Sequence, residues 1–156
     1  MIDFQLLQVV PAMDEDYEFS FQVKKQAQGP WITQRWGWDE EKQRTFHRKD
    51  WDQKRPSLIT YAGMPIGTIR LADDDAGLEI QQFFLLLEYQ NQRIGTYLLQ
   101  GILRQADGDG KAVRLTILKG SRVESLYRRL GFRVVRQDET FCFMERSARR
   151  VHAQDA

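Results

Sequence analysis

The sequence predicts a mixed α/β fold, with antiparallel hairpins first and a β-α-β crossover in the middle of the chain. Two strand-like runs, residues 57–61 and 66–71, flank Ala62-Gly63-Met64-Pro65, a segment typical of a tight hairpin turn. Apolar residues at helical spacing then separate two further strand-like runs. The strand-like runs are 78–87 and 113–117, and the helical run between them is 94–106. This is the pattern of a crossover between two strands of one sheet.

Periodicity, capping signals and chain breakers predict the other elements. Strands are predicted at 2–10, 133–137 and 140–145, helices at 14–28, 40–50 and 123–130, and a short helix or turn at 31–36. Asp14 and Asp39 are predicted N-caps, and Gly29-Pro30 is predicted to break the first helix. Ser121 and Glu124 have the spacing of a capping box, and Gly131 is predicted to end the helix that they begin.

Length and charge limit the number of domains and the classes of partner that can be argued for. The 156 residues predict one domain over 1–146, followed by a polar tail at 147–156. The 23 Lys and Arg balance 22 Asp and Glu, so net charge gives no argument for nucleic acid or a membrane surface as partner. Five arginines in the last part of the chain lie among acidic residues and are interpreted as a solvated face (Arg128, Arg129, Arg146, Arg149 and Arg150).

Cysteine and histidine usage argues against metal and thiol chemistry. The single Cys142 excludes an intramolecular disulfide and fits a reducing compartment. With no signal-peptide pattern and no run of membrane-spanning length, a cytoplasmic location is predicted. The alternating run around Cys142 favours a packed strand thiol, because a nucleophile would need a positioned histidine. His47 and His152 lie far apart, and no spacing predicts a metal site.

The turn at residues 89–96 carries the first functional signal. It follows the apolar run 83–87 and opens a helix with apolar Ile94 and Leu98. Amides in a first helical turn have no helical partners, and the positive end of the helix dipole points out of them. The segment therefore predicts an anion site. Gly95 lets a ligand approach the backbone where a Cβ would block it.

A second motif, Leu126-Tyr127-Arg128-Arg129-Leu130-Gly131-Phe132, lies one helix and one strand further on. Together with Gln90-Asn91-Gln92-Arg93-Ile94-Gly95, it resembles the GNAT superfamily of acyl-CoA-dependent N-acetyltransferases. The family patterns are Leu-Tyr-x-x-Leu-Gly-Phe, which matches at every specified position, and Gln/Arg-x-x-Gly-x-Gly/Ala, which departs at Arg93. The resemblance covers residues 57–146 and implies a GNAT-like, mostly antiparallel central sheet with helices on both faces.

The resemblance implies acetyl-CoA as the co-substrate, and the spacing of histidine and cysteine predicts no metal. The backbone of the strand before the turn would pair with pantetheine, at Phe83, Phe84 and Leu85. The amides of the turn would hold the pyrophosphate, at Asn91, Gln92, Arg93, Ile94, Gly95 and Thr96. Arg93 could crowd the phosphates, pair with one of them, or point to solvent while the amides still bind. Gly120 stands where many members have an asparagine that contacts the cofactor, so that contact is missing or is made by backbone.

Two residues are candidates for acid–base chemistry. Tyr127 holds the place of the tyrosine that the family uses as the acid at sulfur, and the alternative is a core tyrosine on the apolar face of its helix. Glu79 holds the place of the strand glutamate that is the base in the histone-acetyltransferase branch. An exposed charge at the start of a strand is the alternative for Glu79, and many members rely on water instead.

The acceptor is the least defined part of the predicted site. The family places it beside the first two helices, so Trp36, Trp38 and Asp39 are the predicted substrate-binding residues; the tryptophans could instead anchor the N-terminal segment. The predicted reaction is direct acetyl transfer, in a ternary complex, to a primary amine of a small molecule, peptide or protein. A non-catalytic module that senses acyl-CoA or binds a protein is the alternative. No nucleic-acid or membrane partner is predicted, and the last strands leave a homodimer open.

Overall fold

The structure, a computed structural model, describes residues 1–149. Over this range the strands are β1 (Leu7–Pro11), β2 (Ser57–Tyr61), β3 (Met64–Asp74), β4 (Gly77–Leu85), β5 (Val113–Leu118), β6 (Arg133–Gln137) and β7 (Phe141–Arg146). The α-helices are α1 (Tyr17–Trp36), α2 (Glu40–Gln53), α3 (Ile94–Gly108) and α4 (Val123–Arg129). None of these helices is both long enough and apolar enough to cross a membrane. Part of the predicted tail, 150–156, lies outside the described residues.

The strands form one sheet in the order β1-β2-β3-β4-β5-β7-β6. Antiparallel pairing joins β1 to β2, β2 to β3, β5 to β7 and β6 to β7, whereas β4 and β5 are parallel and are connected through α3. The hairpin between β2 and β3 turns at Ala62 and Gly63, both with positive φ, as a two-residue hairpin loop requires. The predicted mixed, mostly antiparallel sheet with a central β-α-β crossover is confirmed.

The described chain divides into two compact units, and the predicted single domain over 1–146 stays a prediction. The first unit comprises residues 1–70 and 82–94. Its α1 and α2 bury Phe21, His47 and Trp51, each at most 3% exposed, and the Phe21 and His47 rings lie 5.5 Å apart edge to face. Burial of aromatic and apolar area of this kind is the main term holding these two helices together.

The second unit comprises residues 71–81 and the chain from 95 onward. Leu99 and Leu103 of α3 are buried, as are alternate residues of β5. In the β5–β7 register Leu115 lies opposite Met144 and Ile117 opposite Cys142, so the inward residues of both strands belong to one core. The Cys142 thiol is fully buried, as its alternating surroundings predict.

The predicted break at Gly29-Pro30 is wrong, since α1 runs without interruption from Tyr17 to Trp36. Proline disfavours the helical conformation of the preceding residue because the proline Cδ clashes with the backbone N–H and the Cβ of that residue, and glycine lacks the Cβ. Gly29 is buried, and a Cβ built on it would lie 3.8 Å from the Trp38 ring. Packing therefore keeps the helix continuous, and Gly37, with φ of 78°, ends it.

Two of the three predicted N-terminal helix signals are also wrong. Asp14 lies inside a 3₁₀ turn, and Asp16 accepts from the Met13 amide instead. The capping box does not form, because Glu124 pairs with Arg128 at 2.9 Å in the following turn. Asp39 is a cap as predicted: its carboxylate accepts from the Lys42 amide at 3.1 Å.

Candidate active site

The end of β4 is held by backbone and side-chain contacts of the first unit. The Leu86 amide donates to the Ile66 carbonyl at 2.9 Å, and the Leu87 amide donates to the side chain of Gln26 on α1 at 3.2 Å. Gly67 lies so close to this segment that an added Cβ would be 2.3 Å from the Phe84 carbonyl oxygen. Phe84 and its neighbours Phe83 and Leu85 are half-buried, so a ligand can reach part of this strand end.

The turn that follows is built by two glutamine side chains. After a 3₁₀ turn at Leu87–Tyr89, Gln90 donates from its side-chain amide to the Leu85 carbonyl at 2.9 Å. Gln92 donates in the same way to the Glu88 carbonyl at 2.6 Å. Each bond closes the chain back over the segment before it, so the turn has a defined shape up to the start of α3.

Two residues of this turn have left-handed backbone conformations, Asn91 with φ of 61° and Arg93 with φ of 66°. Asparagine tolerates this region, whereas arginine rarely adopts it. Arg93 is therefore in a conformation that glycine favours, at the position where the GNAT pattern has glycine. Its side chain is exposed.

The helix α3 presents its first amides directly after Arg93. Ile94 is fully buried and anchors the helix start, while Gly95 and Thr96 are half-buried. The first four amides of an α-helix have no acceptor within the helix. This end of α3 can therefore donate several hydrogen bonds to an anion and adds the favourable end of the helix dipole.

Tyr127 is a buried phenol in the second unit. It lies on α4, its side chain is 6% exposed, and its ring meets that of Phe132 edge to face at 5.5 Å. Burial raises the pKa of Tyr127 well above the usual value near 10, so the hydroxyl keeps its proton through the neutral range. The turn is closed by the Phe132 amide, which donates to the Tyr127 carbonyl at 3.0 Å, and Gly131, with φ of 98°, ends the helix as predicted.

Glu79 lies in the second unit and is engaged in an ion pair. Its carboxylate accepts from Arg114 Nε at 3.1 Å and from Gln81 Nε2 at 2.6 Å. Arg114 is directly opposite on β5 and also contacts Asp74, whose pKa it holds below the usual range. Glu79 is half-buried; it is neither a free surface charge nor an isolated base.

Solved structures of several acetyltransferases share this fold. PaiA N-acetyltransferase from Thermoplasma acidophilum, in complex with coenzyme A, is 20% identical; the match covers 90% of this chain and 98% of that one, with a TM-score of 0.70. The ribosomal-protein-S18-alanine N-acetyltransferase from Escherichia coli is 14% identical, with 94% and 97% covered and a TM-score of 0.66. A GCN5-related N-acetyltransferase from Kribbella flavida is 19% identical, with 93% and 99% covered and a TM-score of 0.65.

At these identities, the matches establish the fold alone. The deciding observation is a sequence match of residues 36–144 to the family model described as an acetyltransferase (GNAT) domain. The chain belongs to the GNAT acetyltransferase family. No curated protein matches its sequence. Membership of this family supports an acyltransferase.

The predicted acceptor residues of this GNAT chain have different surroundings. Trp36, at the end of α1, is 64% exposed and stacks edge to face on Trp31 at 5.3 Å. Trp38 is half-buried and donates from its indole to Glu40 at 3.0 Å. The Asp39 carboxylate is used as the cap of α2. Trp38 and Asp39 thus have structural contacts of their own, and Trp36 is the more accessible of the two predicted tryptophans.

The departure at Gly120 falls in a turn. Its φ is 85°, and an added Cβ would meet nothing within 4 Å. Space therefore does not require glycine here, and the backbone conformation favours it. Within the described residues, no group of three or more His, Cys, Asp or Glu is placed to hold a metal ion.

Two residues that shape β4 were not predicted from the sequence. Gly67 supports the strand end, and Gln82, within β4, contacts Thr68 and Asp50. An isolated glycine inside a strand pattern signals a close backbone approach, so Gly67 could have been recognised. Nothing in the sequence marks the contact of Gln82 with Asp50, which lies 32 positions away.

Proposed function

We propose that this GNAT protein is an acetyl-CoA-dependent N-acetyltransferase that transfers the acetyl group directly to a primary amine in a ternary complex. The observation that carries the proposal is the turn before α3, where Arg93, at the place of the family's first glycine, has a left-handed conformation that glycine favours. Because the anion donors there are backbone amides, arginine can supply them as well as glycine, provided that the backbone adopts this shape. In this proposal the amides of residues 91–96 hold the pyrophosphate, and the backbone of 83–85 pairs with pantetheine.

The chemistry has three requirements. The acceptor amine must be deprotonated, the tetrahedral oxyanion must be stabilised, and the departing thiolate must be protonated. We assign the last role to Tyr127. A phenol keeps its proton at neutral pH, and the departing thiolate, whose conjugate acid has a pKa near 8.5, is released more easily when it is protonated.

The base and the acceptor residues complete the proposal. Glu79 is the candidate base, and it would act only when its pair with Arg114 opens or through a bound water. Trp36, Trp38 and Asp39 are the candidate acceptor residues, with exposed Trp36 suited to a cationic amine. The acceptor is an amine of a small molecule, peptide or protein; the cytoplasmic location and a homodimer stay predictions.

The second candidate is a module that binds acyl-CoA without turnover. Its support is the exposed Arg93 in the phosphate turn, together with Gly120 where many members have asparagine. The two candidates differ in one measurable respect. Both bind CoA, and only the enzyme releases free thiol when an amine is supplied.

The experiment combines calorimetry with CoA and a thiol-release assay using acetyl-CoA and a panel of amines. The enzyme proposal expects binding and amine-dependent thiol release. Replacing Tyr127 by Phe should lower kcat by about 100-fold while changing the Kd for CoA less than about twofold, since general acid catalysis contributes on this scale. Tyr17→Phe, which removes a hydroxyl from another aromatic cluster, is the matched control and should leave both unchanged.

The outcomes separate the candidates. Binding of CoA, with no release of thiol from acetyl-CoA in the presence of any amine, would support the sensing module. An active Tyr127→Phe variant would remove the assigned acid and leave the acetyltransferase proposal standing. If the protein neither binds CoA nor releases thiol, both candidates are overturned.

A further inference from the structure

Gln82 has an unusual backbone conformation for a strand residue. It lies inside β4 with φ of 50°, in the left-handed region, which residues with a Cβ adopt rarely. A residue of this kind interrupts the regular pleat of a strand, so the chain leaves it in a new direction. Such a conformation persists only where the surrounding structure enforces it.

Two hydrogen bonds enforce it, one on the backbone and one on the side chain. Thr68 Oγ1, on β3, donates to the Gln82 carbonyl at 2.7 Å. Gln82 Nε2 donates to Asp50 Oδ2, on α2, at 2.6 Å. Both partners belong to the same compact unit as Gln82, and together they fix the peptide and the side chain of one residue.

Asp50 is itself fixed in place. Its Oδ1 accepts from Arg70 Nη2 at 3.1 Å, and Arg70 Nη1 donates to the Lys54 carbonyl at the end of α2. The Arg70 and Asp50 side chains are 11% and 27% exposed, so solvent screens this pair only partly. Lys24 of α1 also carries a charge near the pair. Burial lowers its pKa, and the charge of Asp50 opposes that shift.

The segment that follows Gln82 is the one assigned to the donor. The Phe84 carbonyl lies against Gly67, and the Leu86 amide donates to Ile66. These contacts set how close β4 lies to β3, and they can be made only if the chain leaves Gln82 in the observed direction. A change in the Gln82 peptide would therefore move the backbone groups of residues 83–85.

We propose that Asp50 is a positioning residue: acting through Gln82, it holds the left-handed turn of β4 that sets the backbone path of residues 83–85. The inference about the path concerns the protein alone. Its consequence for acetyl-CoA rests on the proposed function, which assigns residues 83–85 to the pantetheine chain.

The test compares Asp50→Ala and Gln82→Ala with the double variant, and uses Asp52→Ala as a matched control. Asp52 is on the same helix, and its side chain is 59% exposed and contacts Arg48 at 3.5 Å. The first readout is hydrogen exchange of the Leu86 amide, measured in the free protein. The second is the division between KM for acetyl-CoA and kcat.

We expect Asp50→Ala and Gln82→Ala each to speed exchange at Leu86 by about tenfold and to raise KM for acetyl-CoA by a similar factor, with kcat within about twofold. Because Asp50 acts on residues 83–85 through Gln82, adding Gln82→Ala to Asp50→Ala should change neither readout further. Asp52→Ala should leave exchange and KM unchanged. A general loss of folded protein would lower the active fraction without changing KM.

Unchanged exchange at Leu86 in the Asp50 and Gln82 variants, or effects that add in the double variant, would overturn the inference. If Asp50→Ala does not fold, Gln82→Ala decides by the same two readouts. Faster exchange in a protein whose parent neither binds CoA nor releases thiol would support the positioning role of Asp50 and overturn the proposed function alone. Faster exchange with unchanged KM would support the positioning role of Asp50 and overturn its consequence for acetyl-CoA binding.

Discussion

Asn91 and Arg93 show that the energetic cost of one backbone conformation depends on residue type. Both lie in the left-handed region, with φ of 61° and 66°. The short polar side chain of asparagine tolerates this region, while for arginine the contact of Cβ with the following carbonyl costs about 1–2 kcal/mol. Strain of this kind at a ligand turn is retained where the shape of the turn is needed.

Replacing Arg93 by Gly should therefore stabilise the protein. Relief of the left-handed strain exceeds the extra entropy of glycine in the unfolded chain, and the expected gain is about 0.5–1 kcal/mol. Chemical denaturation measures it. Asn91→Gly is the control and should give no gain, so a loss of stability in Arg93→Gly would contradict the explanation.

At the scale of elements, glycine has opposite roles in α1 and β3. Gly29 lies within α1, where an added Cβ would make ordinary contacts at 3.7 Å with Lys25 and 3.8 Å with Trp38. Gly67 lies within β3, where the same atom would be 2.3 Å from the Phe84 carbonyl oxygen. Packing around the first glycine leaves room for a Cβ, whereas the second is required by the close approach of two strands.

Two alanine substitutions test this contrast. Gly29→Ala should change stability by less than about 0.5 kcal/mol, because the entropy that alanine saves in a helix is offset by the contact of its Cβ with Pro30. Gly67→Ala should destabilise it by about 1–3 kcal/mol, since the backbone of β4 must move. Thermal unfolding of the two variants against the parent is the measurement, and equal shifts of the same sign would show that the described contacts do not decide the effect.

At the scale of the whole molecule, a buried histidine links stability to pH. Ser20 donates its hydroxyl proton to the Tyr17 carbonyl at 2.6 Å, so His47 Nε2, 2.7 Å from Ser20 Oγ, is the donor in that contact. His47 Nδ1 is buried and has no hydrogen-bond partner within the described part of the chain. Burial, aided by the charge of Lys24, lowers the pKa of His47 to about 4.

The direction of the pH effect follows from that shift. In the unfolded chain His47 is protonated below its usual pKa of about 6.5, whereas in the folded protein it is protonated only below about pH 4. Stability is therefore complete above about pH 6.5 and falls by up to about 3 kcal/mol as the pH drops to about 4. The carboxylate of Glu18 and the charges of Arg44 and Asp50 also act on this ring and change the midpoint rather than the sign.

Denaturant unfolding between about pH 7 and 3 measures the effect. His47→Gln should flatten the dependence between about pH 6.5 and 4.5. Glu18→Gln is the control: hydrogen bonds from Arg44 and Gln22 lower the pKa of Glu18 to about 2, so its contribution is lost only below about pH 4.5. A parent protein equally stable at both ends of that window would disprove the role of His47.

The predictions that the structure confirms have local signals. The hairpin at Ala62-Gly63, the cap at Asp39 and the helix end at Gly131 each depend on residues adjacent in the chain. The predicted crossover and the family motifs are likewise contiguous runs of sequence. The roles assigned to Tyr127, Glu79 and the turn before α3 stay predictions, although their surroundings are now defined.

The sequence by itself determined the order of the elements, the family and the segment that resembles a phosphate turn. Only the tertiary structure decided that α1 continues through Pro30, that Glu124 pairs with Arg128, and that Arg93 is left-handed. It also decided that Asp50 reaches Gln82. The physical reason is distance along the chain: propensity and capping act within a few residues, whereas packing and hydrogen bonds between remote residues choose among the conformations that local signals allow.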